Sequence, residues 1–126
     1  MPEKALPSFS KALFSGVILD ELIFPYPKLS KDEAENIKLM KETFKKFAED
    51  HIDSQKIDEE AKIPDQIIQQ LKELGFMGLS VPEEYDGFGL SNTGYVKMLE
   101  YIGGINPSVA IVLGGHQSIG YKGLLM

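Results

Sequence analysis

The side chains that could carry acid–base or nucleophilic chemistry are few, and their spacing favours structural roles. His116 lies in an apolar segment beside Gln117 and Ser118, and no acidic residue lies at local helical spacing to it, so no Ser-His-Asp arrangement can be argued. We therefore expect a buried, hydrogen-bonded structural histidine at this position rather than a catalytic one. His51 is predicted to be solvated near a charged helix end, and the acidic run at residues 58–60 is predicted to form a solvated face.

Sites for metals and nucleotides are not predicted either. The sequence has no Cys, which excludes disulfides, thiolate zinc sites, iron–sulfur ligation and cysteine nucleophiles. No spacing typical of a zinc site or an EF-hand is present. Gly87 and Gly89 lack the third glycine and the preceding strand of a dinucleotide fingerprint. All basic residues are Lys, so we expect no phosphate-clamping site wholly inside this chain.

Length and composition fit one folded domain. The chain has 126 residues, 43% hydrophobic and 25% charged, with a net charge of −6. The acidic balance argues against a nucleic-acid partner, because phosphate binding needs a basic face. No apolar run reaches the roughly 20 residues of a membrane-spanning helix, and residues 1–5 do not resemble a signal or transit peptide.

The first 29 residues are predicted to form an arm. Residues 8–14 could make two helical turns that end at Gly16, and residues 18–23 are a second short apolar stretch. Residues 24–27 should be extended, because each proline disfavours helix in the residue before it. Aromatic side chains between prolines favour an arm that lies across a globular body over a recognition motif.

Ser30 is predicted to begin the first of four helices, because Ser30 and Glu33 are spaced to cap each other's backbone N–H groups. This helix should run to about His51. Its apolar stripe is formed by Ala34, Ile37, Met40, Phe44 and Phe47. Residues 52–62 are expected to be a charged connection.

The second helix is predicted between Pro64 and Gly75, since proline suits a first helical turn and glycine a helix end. An apolar link at residues 76–81 and a turn-rich loop at residues 82–89 should follow it. The residues expected to face inward in this helix are Ile67, Ile68, Leu71 and Leu74.

The third helix should begin at Ser91 and end at Gly103-Gly104, with Val96, Leu99 and Ile102 on its buried side. Asn106 and Pro107 begin the fourth helix by the same cap-and-proline argument. Because no alternating strand pattern and no internal repeat is present, the predicted fold class is all-α.

The fourth helix carries the strongest indication of a binding function. Residues 109–113 are all apolar, which predicts burial on every side. Four glycines follow, namely Gly114, Gly115, Gly120 and Gly123, and each costs about 1 kcal/mol in a helix relative to alanine. We therefore expect either close approach by another backbone or room for a ligand.

On a helical wheel, Gly115 interrupts a mostly apolar strip made of Ser108, Ile111, Val112, Gly115, Ser118, Ile119 and Lys122. Tight helix–helix packing and a groove for a long apolar ligand both fit this strip. The last residues, Leu124 to Met126, bring no cap, charge or breaker, so we expect a fragment of a longer protein. Local chemistry alone predicts a helical domain with an apolar interior groove.

Three segments in order carry a resemblance to a known family. They are KIPDQIIQQLKELGFMGLSVPEEYDGFGLSNTGY, MLEYIGG and VLGGHQSIGYKGLL, and FSGVILDELIFPYPKLS lies upstream of them. Together they closely resemble the N-terminal helical domain of acyl-CoA dehydrogenases, above all the very-long-chain branch with its sister that assists assembly of respiratory complex I. The implied organisation is an arm at residues 1–29 and the N-terminal α-helical domain at residues 30–126.

The resemblance implies the chemistry of a whole family member. A carboxylate base removes the α-proton of a long or very-long-chain fatty acyl-CoA while FAD takes the β-hydride, which leaves a trans-2-enoyl-CoA in fatty acid β-oxidation. Family members hold FAD mainly in a β-domain and the base in a C-terminal helical bundle, and both domains are expected to be absent from this truncated chain. It should therefore have no catalytic residue and no complete FAD site, and it should be inactive alone.

The resemblance also implies partners and a location. These are the remaining domains of the same chain, a homodimer in the full-length protein, electron-transfer flavoprotein, and a mitochondrial location in the matrix or at the inner membrane. Two other functions stay open at this point. One is a protein-binding assembly module of the complex I type, and the other is a stand-alone acyl- or lipid-binding helical domain.

What the resemblance assigns to this domain is part of the wall of the acyl pocket. The residues that match the wall are Ile111, Val112, Gly115 and Ile119, and Gly114 is expected to help close backbone approach. The gap at Gly115 lies where shorter-chain relatives carry bulkier side chains that close the tunnel. This interpretation predicts that a large side chain at position 115 would shorten the accepted acyl chain.

Overall fold

The computed structural model describes residues 8–124, and every regular element in this range is helical, which confirms the all-α prediction. The expectations on residues 1–5 and on Leu125 and Met126 lie outside the described range. The α-helices are α1 (Phe9–Phe14), α2 (Lys31–His51), α3 (Ser54–Glu60), α4 (Asp65–Glu73), α5 (Asn92–Ile105), α6 (Pro107–Gly114) and α7 (Lys122–Leu124). A π-helical segment, Gly115–Tyr121, joins α6 to α7. Short 3-10 turns lie at Asp20–Leu22, Phe76–Gly78 and Glu83–Tyr85.

The core lies where α2, α4, α5 and α6 meet the turn after α4. Its fully buried side chains are Phe44, Leu71, Phe76, Leu79, Met98, Ile102, Val109, Leu113 and the polar Gln117. The rings of Phe44 and Phe76 meet edge to face with centroids 5.3 Å apart, an arrangement that adds to the energy of burial. Within residues 8–124, no helix combines the length and the apolar character that a membrane crossing needs.

Helix α2 confirms its predicted cap and length. The Ser30 hydroxyl accepts a hydrogen bond from the Glu33 backbone N–H at 3.1 Å, and the apolar stripe is buried from Ile37 onward. Ala34 is exposed, so its predicted burial is wrong, because no described element covers the first turn of α2 on that side. The predicted reciprocal cap is also wrong, since Glu33 Oε1 accepts instead from the Ser91 backbone N–H at 2.7 Å.

This bond from Glu33 ties the start of α2 to the start of α5 and depends on a glycine. A Cβ built on Gly94 would overlap the Glu33 carboxylate and lie 3.1 Å from Ile37 Cδ1. A charged acceptor on a backbone N–H makes a comparatively strong hydrogen bond. Position 94 therefore requires a glycine for a steric reason, although glycine itself weakens a helix.

We expect Gly94→Ala to lower the free energy of unfolding by about 1–2 kcal/mol, because overpacking at the Glu33 contact outweighs the better helix propensity of alanine. Urea unfolding of the chain measures this change. Gly104→Ala is the matched control, since a Cβ on Gly104 meets no heavy atom within 4 Å, and it should stabilise by up to about 1 kcal/mol. Equal effects of the two substitutions would contradict the proposed contact.

The region predicted as a charged connection contains helix α3, so that prediction is wrong. Asp53 begins it, with its carboxylate accepting from the Lys56 backbone N–H at 3.0 Å, and Ala61 ends it at φ +50°. Only Ile57 is buried in this helix. One buried residue gives no apolar period, which is why the sequence pattern did not reveal α3.

Helix α4 lies within the predicted bounds. Pro64 immediately precedes it, and Gly75 follows it with φ +82°, a conformation that glycine adopts without strain. Of the four residues expected to face inward, Ile67 and Leu71 are buried and Ile68 is half-buried. Leu74 is exposed, so its prediction is wrong, because α4 ends at Glu73 and Leu74 lies beyond its last turn.

Helix α5 begins at the predicted Ser91 cap, where the Ser91 hydroxyl accepts from the Gly94 backbone N–H at 3.1 Å. It continues through Gly103-Gly104 to Ile105, so the predicted end is wrong. Its buried side chains include Tyr95, Met98 and Ile102, whereas Val96 is 60% exposed. Of the residues predicted on the buried side, Ile102 is therefore confirmed, Leu99 is half-buried and packs against the core, and only the prediction for Val96 is wrong.

Asn106 joins α5 to α6 as predicted and also holds α3. Its side-chain oxygen accepts from the Val109 backbone N–H at 2.9 Å, and its side-chain nitrogen donates to the Ser54 hydroxyl at 3.0 Å. A Cβ on Gly103 would contact Ala110 of α6 at 3.6 Å. The small residues of the junction thus let α5 and α6 pack closely while α5 keeps its helical hydrogen bonds.

The segment before α2 carries the predicted short helix. Helix α1 begins at the Ser8 cap, and Gly16 follows it with φ +77°. Residues 24 and 25 form a bend and not the extended segment that was predicted, and the Phe24–Pro25 peptide is cis. The rings of Phe24 and Tyr26 contact each other at 4.7 Å, and Tyr26 and Pro27 line an open groove together with Val96 and Glu100 of α5.

Candidate functional site

The candidate site is the helical stretch formed by α6, the π-helical segment and α7. The Gly115 backbone N–H donates to Ile111 O, four residues back, as in an α-helix. The Lys122 backbone N–H donates to Gln117 O, five residues back. The hydrogen-bond register therefore widens within this stretch, a feature that is rare in proteins and frequent at functional sites.

Only one side of this stretch is covered by the rest of the described chain. Val109, Leu113 and Gln117 are fully buried, whereas Ile111 is 73% and Ile119 is 82% exposed. The prediction that residues 109–113 are buried on every side is therefore wrong. Helix α5 and residues 76–80 contact one face and leave an apolar face open.

Two of the predicted wall residues line a groove. Ile111 and Val112 border an open groove of about 690 Å³, whose other lining residues are Ile57, Asp58, Ala61, Lys62, Ile63, Ile68 and Ser108. These residues come from α3, from α4, from the loop between them and from the start of α6. The groove is apolar at its isoleucine side chains and charged only at Asp58 and Lys62.

The other three predicted wall residues lie farther along the stretch. A Cβ on Gly115 would meet no heavy atom within 4 Å, so space is open there. Ile119 projects on the exposed side, outside the lining of the groove. A Cβ on Gly114 would meet Leu99 Cδ1 at 3.6 Å and the Tyr95 hydroxyl at 4.0 Å, both of them side-chain atoms of α5.

Of the two neighbouring polar residues 116 and 117, the glutamine is buried and the histidine is not. His116 is exposed, so the expected buried histidine is wrong. Gln117 is the buried residue, and its side-chain nitrogen donates to Phe76 O at 3.0 Å and to Leu113 O at 3.4 Å. Its side-chain oxygen accepts from the Ser80 backbone N–H at 3.3 Å. Its position four residues after the buried Leu113 is the sequence signal that could have identified it.

A second set of polar contacts joins the π-helical segment to α5. The hydroxyl groups of Tyr95 and Ser118 lie 2.7 Å apart, the usual length of a hydrogen bond between two hydroxyl groups. Lys122 Nζ donates to Asn92 Oδ1 at 3.2 Å and lies 5.7 Å above the Tyr95 ring. The segment is thus held from two sides, by α5 and by residues 76–80.

This arrangement can bind hydrocarbon but does not supply acid–base chemistry. Around Ile111 and Gly115 the exposed face is apolar, and His116 has no acidic partner among its described hydrogen bonds and ion pairs. The groove beside Ile111 also does not fit the pyrophosphate of FAD. Its single cation, Lys62, shares the lining with Asp58 and lies 3.5 Å from the Asp65 carboxylate, and a pyrophosphate would need several donors or cations free of an acidic neighbour.

Comparisons with known proteins place the whole stretch in one family. A family model described as "Acyl-CoA dehydrogenase, N-terminal domain" matches residues 34–126. The mouse protein named "Very long-chain specific acyl-CoA dehydrogenase, mitochondrial" is 42% identical over 120 residues, and the human protein of that name is 39% identical. These alignments cover 94% of this chain and 18% of each relative.

A bacterial relative is also named as an acyl-CoA dehydrogenase. The Mycobacterium tuberculosis protein named "Probable acyl-CoA dehydrogenase FadE10" is 37% identical over 114 residues, which is 90% of this chain and 17% of that protein. The chain therefore spans less than a fifth of the length of these relatives. The part matched by the family model includes α2 from residue 34 onward and all of α3 to α7, with the candidate site.

Proposed function

The chain belongs to the acyl-CoA dehydrogenase family, and from that premise we propose that it supplies part of the acyl-chain wall of a flavin-dependent dehydrogenase for long and very-long-chain fatty acyl-CoA. The proposal divides the chain into an arm at residues 1–29 and the N-terminal helical domain at residues 30–126. The similarity to relatives named very-long-chain specific supports the substrate class.

The single observation that carries the proposal is the open space at Gly115 on an apolar helix face. Ile111 and Ile119 flank this glycine and are largely exposed in the described chain, and no heavy atom lies within 4 Å of a Cβ at position 115. Each methylene that moves from water to such a surface contributes about 0.8 kcal/mol. A long acyl tail therefore gains more from this face than a short one does.

The chain's own part in the reaction is to bind and orient the tail and to exclude water from it. Ile111 and Val112 line the groove, Gly115 leaves room for the tail, and Ile119 extends the apolar face. In this proposal the base, FAD and most of the contacts to FAD come from domains outside residues 8–124. Further proposed properties are a homodimer, electron-transfer flavoprotein as electron acceptor, and a mitochondrial location, the last supported by relatives named mitochondrial.

The test is to purify the full-length protein that contains this sequence and to measure bound flavin and dye reduction with palmitoyl-CoA. We expect a yellow, flavin-loaded protein that reduces the dye and prefers long acyl chains. A protein that lacks flavin and turnover but binds other proteins would support an assembly module instead. Tight palmitoyl-CoA binding by the monomeric 126-residue chain alone would support a stand-alone lipid-binding domain.

A further inference from the structure

The buried side-chain amide of Gln117 connects three main-chain groups of two segments. It is fully buried, and it bonds Phe76 O, Leu113 O and the Ser80 backbone N–H at 3.0, 3.4 and 3.3 Å. An amide has two N–H donors and one oxygen acceptor, and here each of them is used. A buried amide with complete bonding fixes its surroundings more firmly than an apolar side chain of the same size.

Gln117 lies inside the stretch where the helical register widens. In a regular α-helix, residues four apart drift by roughly 40° around the axis at each step. A wider turn with bonds five residues apart counteracts this drift, and here the Lys122 N–H reaches back to Gln117 O. Gln117 and the half-buried Tyr121 therefore stay on the same side as Leu113, and Ile119 stays on the outer side.

The backbone of this segment does not fix its own register. Gly114, Gly115 and Gly120 are permissive in φ and ψ, and a Cβ on Gly115 would meet no neighbour. Two adjoining elements contact the segment. On one side the contacts are the hydroxyl pair of Tyr95 and Ser118, 2.7 Å apart, and on the other they are the bonds of Gln117 to residues 76–80.

We propose that Gln117 is a positioning residue for acyl-chain selection, because its bonds to Phe76 and Ser80 hold the π-helical register that turns Gly115 and Ile119 toward the tail. This inference rests on the function proposed above. Gln117 itself does not contact the tail, since it faces the core. It affects the tail indirectly, because it sets the direction in which Gly115 and Ile119 face.

The experiment compares Gln117→Met and Gln70→Met in the flavin-loaded full-length protein. Both changes replace an amide by a thioether of similar length, and the Gln70 side-chain oxygen is buried without a hydrogen-bond partner among residues 8–124. The measured quantity is kcat/KM for palmitoyl-CoA divided by kcat/KM for octanoyl-CoA. We expect this ratio to fall about tenfold in Gln117→Met, mainly through the KM for palmitoyl-CoA, and by no more than about twofold in Gln70→Met.

Equal losses for both substrates in Gln117→Met, or an unchanged ratio, would overturn the inference, because a purely structural role does not sort substrates by length. Should Gln117→Met fail to accumulate, Gln117→Asn applies the same test with an amide one methylene too short for its partners. Gly115→Glu separates the two proposals. If Gly115→Glu changes the ratio and the Gln117 variant does not, only the inference on Gln117 fails; if neither changes it, the proposed wall fails.

Discussion

Gly115→Glu in the flavin-loaded full-length protein is expected to lower kcat/KM for palmitoyl-CoA by roughly 100-fold while octanoyl-CoA loses far less. The side chain would extend from the outer face into the space between Ile111 and Ile119, where the proposed tail lies. A long tail would then have to displace or desolvate a carboxylate, and an unpaired buried charge is strongly unfavourable. A short tail would end before reaching position 115.

The same substitution should leave the fold intact, which separates a pocket effect from a folding defect. A Cβ on Gly115 meets no heavy atom within 4 Å, and glutamate is a better helix former than glycine. The thermal midpoint should therefore stay the same or rise. Gly104→Glu adds the same charge at an exposed helical glycine that likewise has open space around it, and it should leave the chain-length profile unchanged. Unchanged activity of Gly115→Glu on both substrates would refute the proposed wall.

Gly87→Ala is expected to reduce the free energy of unfolding by about 3 kcal/mol or more, the largest stability effect of a single methyl group that we expect in this chain. A Cβ on Gly87 would overlap the Val81 carbonyl group and side chain. That carbonyl cannot easily move away, since it accepts from the Gly89 N–H at 2.8 Å. Gly87 itself donates to Pro82 O at 3.2 Å, so the loop is closed on both sides.

Urea unfolding of the 126-residue chain measures this loss, and Gly104→Ala again serves as the control. The control substitution should raise the free energy of unfolding by up to about 1 kcal/mol, because it changes only the helix propensity at position 104. A Gly87→Ala midpoint equal to that of the unchanged protein would show that residues 82–89 can shift freely. In that case the close contact between Val81 and Gly87 would not determine the conformation of the loop.

Local signals predicted the helix starts well. The caps at Ser30, Ser91 and Asn106 were identified correctly, because a capping side chain and the N–H it satisfies lie within three residues of each other. The long apolar period of α2 also sufficed. Helix α3 was not predicted, because it buries only Ile57. The end of α5 was predicted too early, because α6 packs against Gly103 and the helix continues past its glycines. Both outcomes depend on tertiary contacts that the local pattern does not contain.

The candidate site was predictable in composition but not in orientation. The glycines and the apolar strip were visible in the sequence, and the resemblance assigned them to an acyl wall. The exposure of Ile111 and Ile119 was missed, because a helix that is apolar all round does not say which side its neighbours cover. The burial of Gln117 in place of His116 follows from the contacts with residues 76–80, which lie far away in the sequence.

The most direct test of the acyl wall is photochemical labelling. A palmitoyl-CoA analogue with a diazirine at the end of its tail is bound to the flavin-loaded full-length protein and irradiated, and the labelled peptides are identified by mass spectrometry. We expect labels within residues 111–119, and we expect Gly115→Glu to remove them and Gly104→Glu to preserve them. Labels that appear only outside residues 111–119 would contradict it.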